Sequence, residues 1–174
     1  MNNITCCFTG HRPNKIFGYD ISSPQYQPLT KLVRAYCEYL YLNYGVRNFI
    51  SGGALGFDTI AFFAVNSLKS KYPDINNILA IPFIGQENAW RSIIDKERYN
   101  RMKSLADSVV IVEDIDQYKS TSIGGKLNQR NLYMVDNSDF VITYWNGTTG
   151  GTCNCLKYAH SKHKHMFNLY QSNS

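Results

Sequence analysis

The chain has 174 residues, 44% of them hydrophobic, and carries a formal net charge of +5. That length is enough for a substantial core and argues for one domain over residues 1–170, with 171–174 as a frayed tail. No apolar run is long enough to cross a bilayer, and Met1-Asn2-Asn3-Ile4 has no charged stretch leading into an apolar one, so a cytoplasmic protein without a membrane partner is expected.

The pattern alternates strand and helix. Asn3 to Phe8 reads as a buried strand ended by Thr9-Gly10-His11-Arg12-Pro13. Leu29, Leu32, Val33, Tyr36, Leu40 and Tyr44 then recur at helical spacing, and Gly45 stands where a helix C′ residue belongs. Val46 to Ile50 is a second strand, followed by a glycine turn and a helix with Ile60, Ala61, Ala64, Val65 and Leu68 on one face. A third strand spans Asn77 to Phe83, and a helix from Ala89 to Ala106 presents Trp90, Ile94, Met102 and Leu105. Ser108 to Val112 is the fourth strand. A polar loop through Gly125 leads to a short helix, Lys126 to Asn137, and then to the fifth strand, Asp139 to Trp145. A second glycine turn opens a helix ending near Ser161, and Met166 to Leu169 reads as a last strand. Such alternation predicts an α/β fold with a mostly parallel sheet covered on both faces, its ligand edge at the carboxyl ends of the strands.

Five cysteines do not form a disulfide framework pattern. Cys6 and Cys7, adjacent in a strand, are expected to face opposite sides, and Cys37 lies on an apolar helix face. Cys153 and Cys155, ahead of His160, His163 and His165, invite a zinc reading, but helical geometry turns the two thiols roughly 200° apart. Packing is the preferred role, and no metal is assigned. Arg91, Lys96, Arg98, Arg101 and Lys103 are interleaved with Glu87, Asp95 and Glu97, the pattern of a solvated helix face rather than a nucleic-acid stripe.

The chemistry concentrates in the two glycine turns, Ser51-Gly52-Gly53-Ala54-Leu55-Gly56-Phe57-Asp58 and Gly147-Thr148-Thr149-Gly150-Gly151-Thr152. A strand, a glycine turn and a helix start together present free backbone N–H groups and a positive helix end, which suits a phosphate. Neither GxGxxG nor GxxxxGK[ST] is present, which argues against an ordinary dinucleotide dehydrogenase and a P-loop NTPase. Gly150, Gly151 and Thr152 are the expected phosphate residues, with Gly52 and Gly53 lining the pocket near a ribose. Asp58 either caps the backbone or accepts ribose hydroxyls. Arg130 either clamps a phosphate or ties Asp136 or Asp139 to the fold. Thr9, Gly10, His11 and Arg12 would complete the floor; Tyr144, Trp145, Gln86 and Trp90 are candidates for a base or pocket wall.

Taken in order, Thr9-Gly10-His11-Arg12-Pro13, the first glycine turn, Ile81-Pro82-Phe83 with Gln86 and Trp90, Arg130-Asn131 with Met134-Val135-Asp136, and Gly150-Gly151-Thr152 resemble the YpsA-like branch of the SLOG superfamily. That Rossmann-like group includes the Lonely Guy phosphoribohydrolases and the DNA-processing protein A family. The resemblance implies a Rossmann-like three-layer α/β/α sandwich and a pocket for a nucleotide or a derivative of the ADP-ribose or NAD type. It also implies links to bacterial cell division or stress signalling, and a homodimer is compatible with it.

Lonely Guy enzymes release a base from a nucleoside monophosphate with an arginine, matched by Arg130, and a glutamate after the glycine turn. Here Cys153-Asn154-Cys155 follows Gly151-Thr152 and no carboxylate matches, so Asp58 would have to substitute. The leading expectation is a nucleotide-binding protein that requires no cofactor. An N-glycosidic hydrolase is the alternative, and a single-stranded DNA-binding module comes third.

Overall fold

A computed structural model describes residues 4–171. The expected start of the first strand at Asn3, the reading of the leader, and all of the expected frayed tail except Gln171 lie outside the described residues.

Strand β1, Ile4–Gly10, runs two residues beyond expectation, because Thr9 and Gly10 pair with Thr143 and Tyr144 of β5, Phe140–Tyr144. Helix α1, Gln27–Tyr44, buries Leu29, Val33, Cys37 and Leu40, and Gly45 ends it at a φ of 70°, its N–H donating to the Leu40 carbonyl. Strand β2, Val46–Ser51, leads through the first glycine turn into α2, Phe57–Leu68. Strand β3, Asn76–Ile81, stops earlier than expected at Pro82, which has no N–H for the ladder.

Helix α3, Ile93–Leu105, begins later than expected, where the Ser92 side chain accepts from the Asp95 N–H. Trp90 therefore precedes the helix, and Ile94, expected on its buried face, is 65% exposed. Strand β4, Ser108–Ile111, is followed by two short 3₁₀ turns and by α4, Ile123–Asp136. That helix starts three residues early and takes in Gly124 and Gly125, since Ser122 caps it through the Gly125 N–H at 3.0 Å. Helix α5 is Gly151–Ser161 and β6 is His165–Asn168.

The six strands form one all-parallel sheet in the order β4-β3-β2-β1-β5-β6. Side chains alternate between its faces. Cys6 and Phe8 enter the core under α1 and α2, whereas Cys7 enters the core under α4 and α5 with Cys155. Helix α3 packs on the first of these faces, where Tyr99 and Met102 meet Leu79 and Ile81. This is a Rossmann-like α/β/α sandwich.

The chain builds outward from β1 through β2, β3 and β4, then returns to set β5 on its other side. The strand order reverses between β1 and β5, and the carboxyl ends there diverge into a crevice. Beneath the crevice, Phe8 lies 6.2 Å from Phe49 and 6.4 Å from Phe57, and Phe57 lies 6.1 Å from Tyr144, centroid to centroid. Each fully buried ring of this kind stabilises the fold by roughly 1.5–3 kcal/mol. Together they fasten the sheet to the loops above it. Among the described residues, no helix is long and apolar enough to cross a membrane.

Candidate functional site

The loop after β1 is sewn into the rim by backbone contacts that require glycine. A Cβ on Gly10 would lie 2.6 Å from the Phe57 ring, and one on Gly56, whose φ is 92°, would lie 2.6 Å from the His11 carbonyl oxygen. The closeness allows the Phe57 N–H to donate to His11 O and the His11 N–H to donate to Tyr144 O, both at 3.1 Å. Three loops are thereby held at one rim.

The first glycine turn is organised around a buried ion pair. The Arg130 guanidinium, 4% exposed, donates from Nη1 to the Gly52 carbonyl and from Nε to Asn131 Oδ1 at 3.0 Å. Its Nη1 stands 3.7 Å from Asp58 Oδ2, which also accepts the Ala54 N–H at 3.3 Å. Neither expected anchor of Arg130 is used. Asp136 instead accepts hydroxyls from Tyr118 and Tyr158, and Asp139 accepts the Thr5 N–H.

Burial pushes the Asp58 carboxyl above the usual carboxylate range, against the pull of Arg130, Arg12 and the backbone amides of Ala54 and Gly52. Burial also pulls Arg130 below its ordinary value, opposed by Asp58. Removing two charges from water costs several kcal/mol per ion, which one contact at this distance offsets only in part. The arginine stays cationic.

The second glycine turn is open. Gly147 and Gly150 hold φ angles of 89° and 137°, and a Cβ at Gly147, Gly150 or Gly151 would meet nothing within 4 Å. Asn146 Oδ1 accepts from the N–H and hydroxyl of Thr148 at 3.2 and 2.8 Å, and Trp145 Nε1 donates to Thr148 O at 2.7 Å. Helix α5 starts at Gly151, so its first-turn amides face the opening without intrahelical partners. His11 is buried, which lowers its pKa, and its Nε2 is held against Asn146, 2.6 Å from Oδ1 and 3.0 Å from the backbone N. Lys15 reaches over the rim, Nζ donating to Thr148 Oγ1 at 3.0 Å.

These loops enclose a cleft of about 260 Å³ at the β1–β5 reversal. Of the residues singled out from the sequence, it brings together Thr9, Gly10, His11, Arg12, Asp58, Arg130, Gly150, Gly151 and Thr152. Six others do not line it. Gly52 and Gly53 lie behind the wall. Gly52 makes room for Arg130, and Gly53, with a φ of 68°, lies against Tyr99 and accepts from Gln86 Nε2 at 3.2 Å. Gln86 is thus a buried brace, and Trp90 packs edge-on against Tyr99 at 5.2 Å. Tyr144 spends its ring on Phe57 and Tyr170, and Trp145 tethers the second turn from outside.

Sequence reasoning missed Asn14, Lys15, Ala54, Asn131, Thr148 and Thr149 as lining residues. Asn131, next to Arg130, and the two threonines inside the second turn carried a positional signal; Asn14 and Lys15 follow Pro13 in a short 3₁₀ turn that no periodicity marks. With Arg12, Lys15 and Arg130 against Asp58, the cleft carries a positive excess suited to an anion.

Residues 6–172 match the sequence model of the YspA SLOG family. Among curated proteins the chain is similar to the uncharacterized SPbeta prophage-derived protein YoqJ of Bacillus subtilis (strain 168). The two are 42% identical over 117 residues, covering 64% of this chain and 68% of that protein. The chain is also similar to UPF0398 protein YpsA of the same organism, at 26% identity over 112 residues, covering 64% of this chain and 59% of that protein.

Among solved structures, DNA processing protein A from Helicobacter pylori, described for its single-stranded DNA binding mode, matches with a TM-score of 0.60 at 21% identity, over 99% of this chain and 68% of that one. DNA processing protein A from Streptococcus pneumoniae matches with a TM-score of 0.63 at 16% identity, over 98% of this chain and about half, 52%, of that one. At those identities the likeness is one of fold.

Proposed function

We propose, from the premise that this chain belongs to the YspA SLOG family, that the cleft binds a nucleotide or a nucleotide derivative of the ADP-ribose or NAD type. The phosphate rests on the first-turn amides of α5 at Gly150, Gly151 and Thr152, where the helix dipole and free N–H groups favour negative charge. Arg12 and Lys15 close over it from the rim, and Arg130 neutralises it from beneath. Asp58 accepts a ribose hydroxyl, while Thr9, Gly10 and His11 form the floor.

The observation that carries this reading is a buried arginine with an imperfect carboxylate partner, 3.7 Å away, in a cleft that also holds two exposed cations. An anion completes that charge balance. In this reading the chain acts as a cytoplasmic ligand sensor, of the kind its family resemblance connects with bacterial stress or cell-division control. Calorimetry with ADP-ribose, NAD and AMP tests it. Binding that weakens at least tenfold in Arg130→Ala supports it, and no heat from any of the three at millimolar concentration refutes it.

A second reading, N-glycosidic hydrolysis, is favoured by one observation: Asp58 is a buried carboxyl with a raised pKa facing the cleft, the setting of a group that manages protons. Chromatography of free base after incubation with a nucleotide panel decides it, and turnover that survives Asp58→Asn removes Asp58 from the chemistry. Single-stranded DNA binding ranks third. Arg91, Lys96, Arg98, Arg101 and Lys103 are interleaved with Glu87, Asp95 and Glu97, which breaks the continuous basic groove a strand needs. A steep loss of DNA affinity with salt in anisotropy titrations would restore that reading.

A further inference from the structure

A second depression, of about 530 Å³, lies beside the phosphate cleft and is lined by Tyr19, Leu55, Trp90, Ile94, Asp95 and Arg98, among others. They have no lining residue in common, but their rims are neighbours along the chain. Ala54 lines the cleft and Leu55 lines the groove, and consecutive Cα atoms are only about 3.8 Å apart. On the other side, Lys15 edges the cleft and Tyr19, four residues on, edges the groove. We infer that this groove takes the base of the nucleotide whose phosphate and ribose occupy the cleft. The inference rests on the reading of the cleft as a nucleotide site.

Size is the first argument. At about 260 Å³ the cleft falls below the usual range of small-molecule pockets, about 300–1,000 Å³. It suits a sugar phosphate and leaves a base to find room elsewhere, which the adjoining groove supplies.

Chemistry is the second. Two aromatic rings, Tyr19 and Trp90, and two aliphatic side chains, Leu55 and Ile94, offer faces for a planar heterocycle. Tyr19 is 60% and Ile94 65% exposed, an arrangement that leaves large apolar surfaces in water until something covers them. Asp95 and Arg98, paired at 2.9 Å, place an acceptor and a donor at the groove for the polar edge of a base.

Construction is the third. The groove wall is tied to the first glycine turn, which backs the cleft, by the Gln86…Trp90 segment. Gln86 donates to the Gly53 carbonyl in the first glycine turn, and Trp90 leans on Tyr99, which itself lies against Gly53. One short 3₁₀ turn, Gln86–Ala89, sets the distance between the groove and the first glycine turn.

The test compares AMP with ribose 5-phosphate, which lacks the base, by calorimetry on the wild type, Trp90→Leu and Tyr19→Ala. In the wild type AMP binds about tenfold or more tightly than ribose 5-phosphate, the factor that stacking one base on an aromatic ring supplies. Each variant cuts that ratio at least fivefold and leaves ribose 5-phosphate affinity within twofold. Trp90 packs on Tyr99, so Trp90→Leu can lose structure; Tyr19 is an exposed loop residue, and Tyr19→Ala then decides alone. Equal binding of the two ligands to the wild type overturns the base subsite while leaving the phosphate cleft standing. So does an AMP preference that both folded variants retain. If neither compound binds the wild type, the reading of the cleft falls, and this inference with it.

Discussion

Replacing Gly52 with alanine tests the architecture of the site most directly. The φ of Gly52 is not in the left-handed region, so alanine meets no backbone penalty and the effect of Gly52→Ala is purely one of space. An added Cβ would stand 2.5 Å from Arg130 Cζ and 2.7 Å from Asp58 Oδ2, where ordinary contacts begin near 3.4 Å. The guanidinium, whose Nη1 the new methyl would overlap outright, must retreat by more than about 1 Å to reach ordinary contact, yet it is 4% exposed and held by Gly52 O and Asn131. Overpacking a well-filled interior costs about 1–3 kcal/mol, and loosening a charged hydrogen bond adds about 1.5–3 kcal/mol, part of which relaxation recovers.

The expected loss is about 2–4 kcal/mol, or roughly 4–16 °C in Tm for a chain of this size. Differential scanning calorimetry measures it, with Gly151→Ala as the contrast. At Gly151 the added methyl enters open cleft, so Tm stays within about 2 °C, the equivalent of a surface substitution, while phosphate affinity falls. A Gly52→Ala protein as stable as the wild type refutes the claim that Gly52 exists to admit Arg130.

Three further outcomes are expected. Because burial raises the folded-state pKa of Asp58, stability from its protonated form is full below the unfolded value of about 4 and is lost as pH rises through the folded value. Arg130→Met removes the opposing cation and steepens that loss in melts taken from pH 4 upward, and adding Asp58→Asn flattens it; parallel slopes for the two proteins contradict this. Lys15→Ala breaks only an exposed bond to Thr148, so stability moves by less than about 0.5 kcal/mol, while anion affinity falls by up to about fivefold and its salt dependence becomes shallower. Trp145→Phe keeps the ring but loses the 2.7 Å bond to Thr148 O, costing about 0.5–1.5 kcal/mol. Hydrogen exchange at residues 147–150 then accelerates; unchanged exchange means the indole does not tether that loop.

The parallel sheet was legible because its central strands are short continuous apolar runs separated by helical periodicity, and Gly45 marked a helix end as glycine does. Boundaries failed where a local contact outweighed propensity. Gly124 and Gly125 argue against a helix, yet Ser122 caps them into one, and a side chain at Gly125 would also lie 2.8 Å from Ser122 Oγ. The loops that meet at the cleft were readable from strand–turn–helix logic alone. Which residues of a loop face inward was not, since Gly52 and Gly53 differ from Gly150 and Gly151 only in what the fold places opposite them. Aromatic positions were the least readable: Tyr144 and Trp145 end a strand beside the cleft, but one turns into the Phe57 stack and the other pins a turn.

The reversal of strand order also governs how long the folded chain lasts. Strand β1 meets its sequence neighbour β2 on one side, whereas on the other it meets β5, across a joint such as that between Thr5 and Asp139, 134 positions apart. Pairings across so much chain form late and slowly, because their closure entropy comes due before any contact rewards it. The cleft straddles that seam and does not exist until it shuts. If the proposed ligand binds there, it is expected to act as a latch, slowing escape from the native state while leaving the rate of refolding nearly untouched.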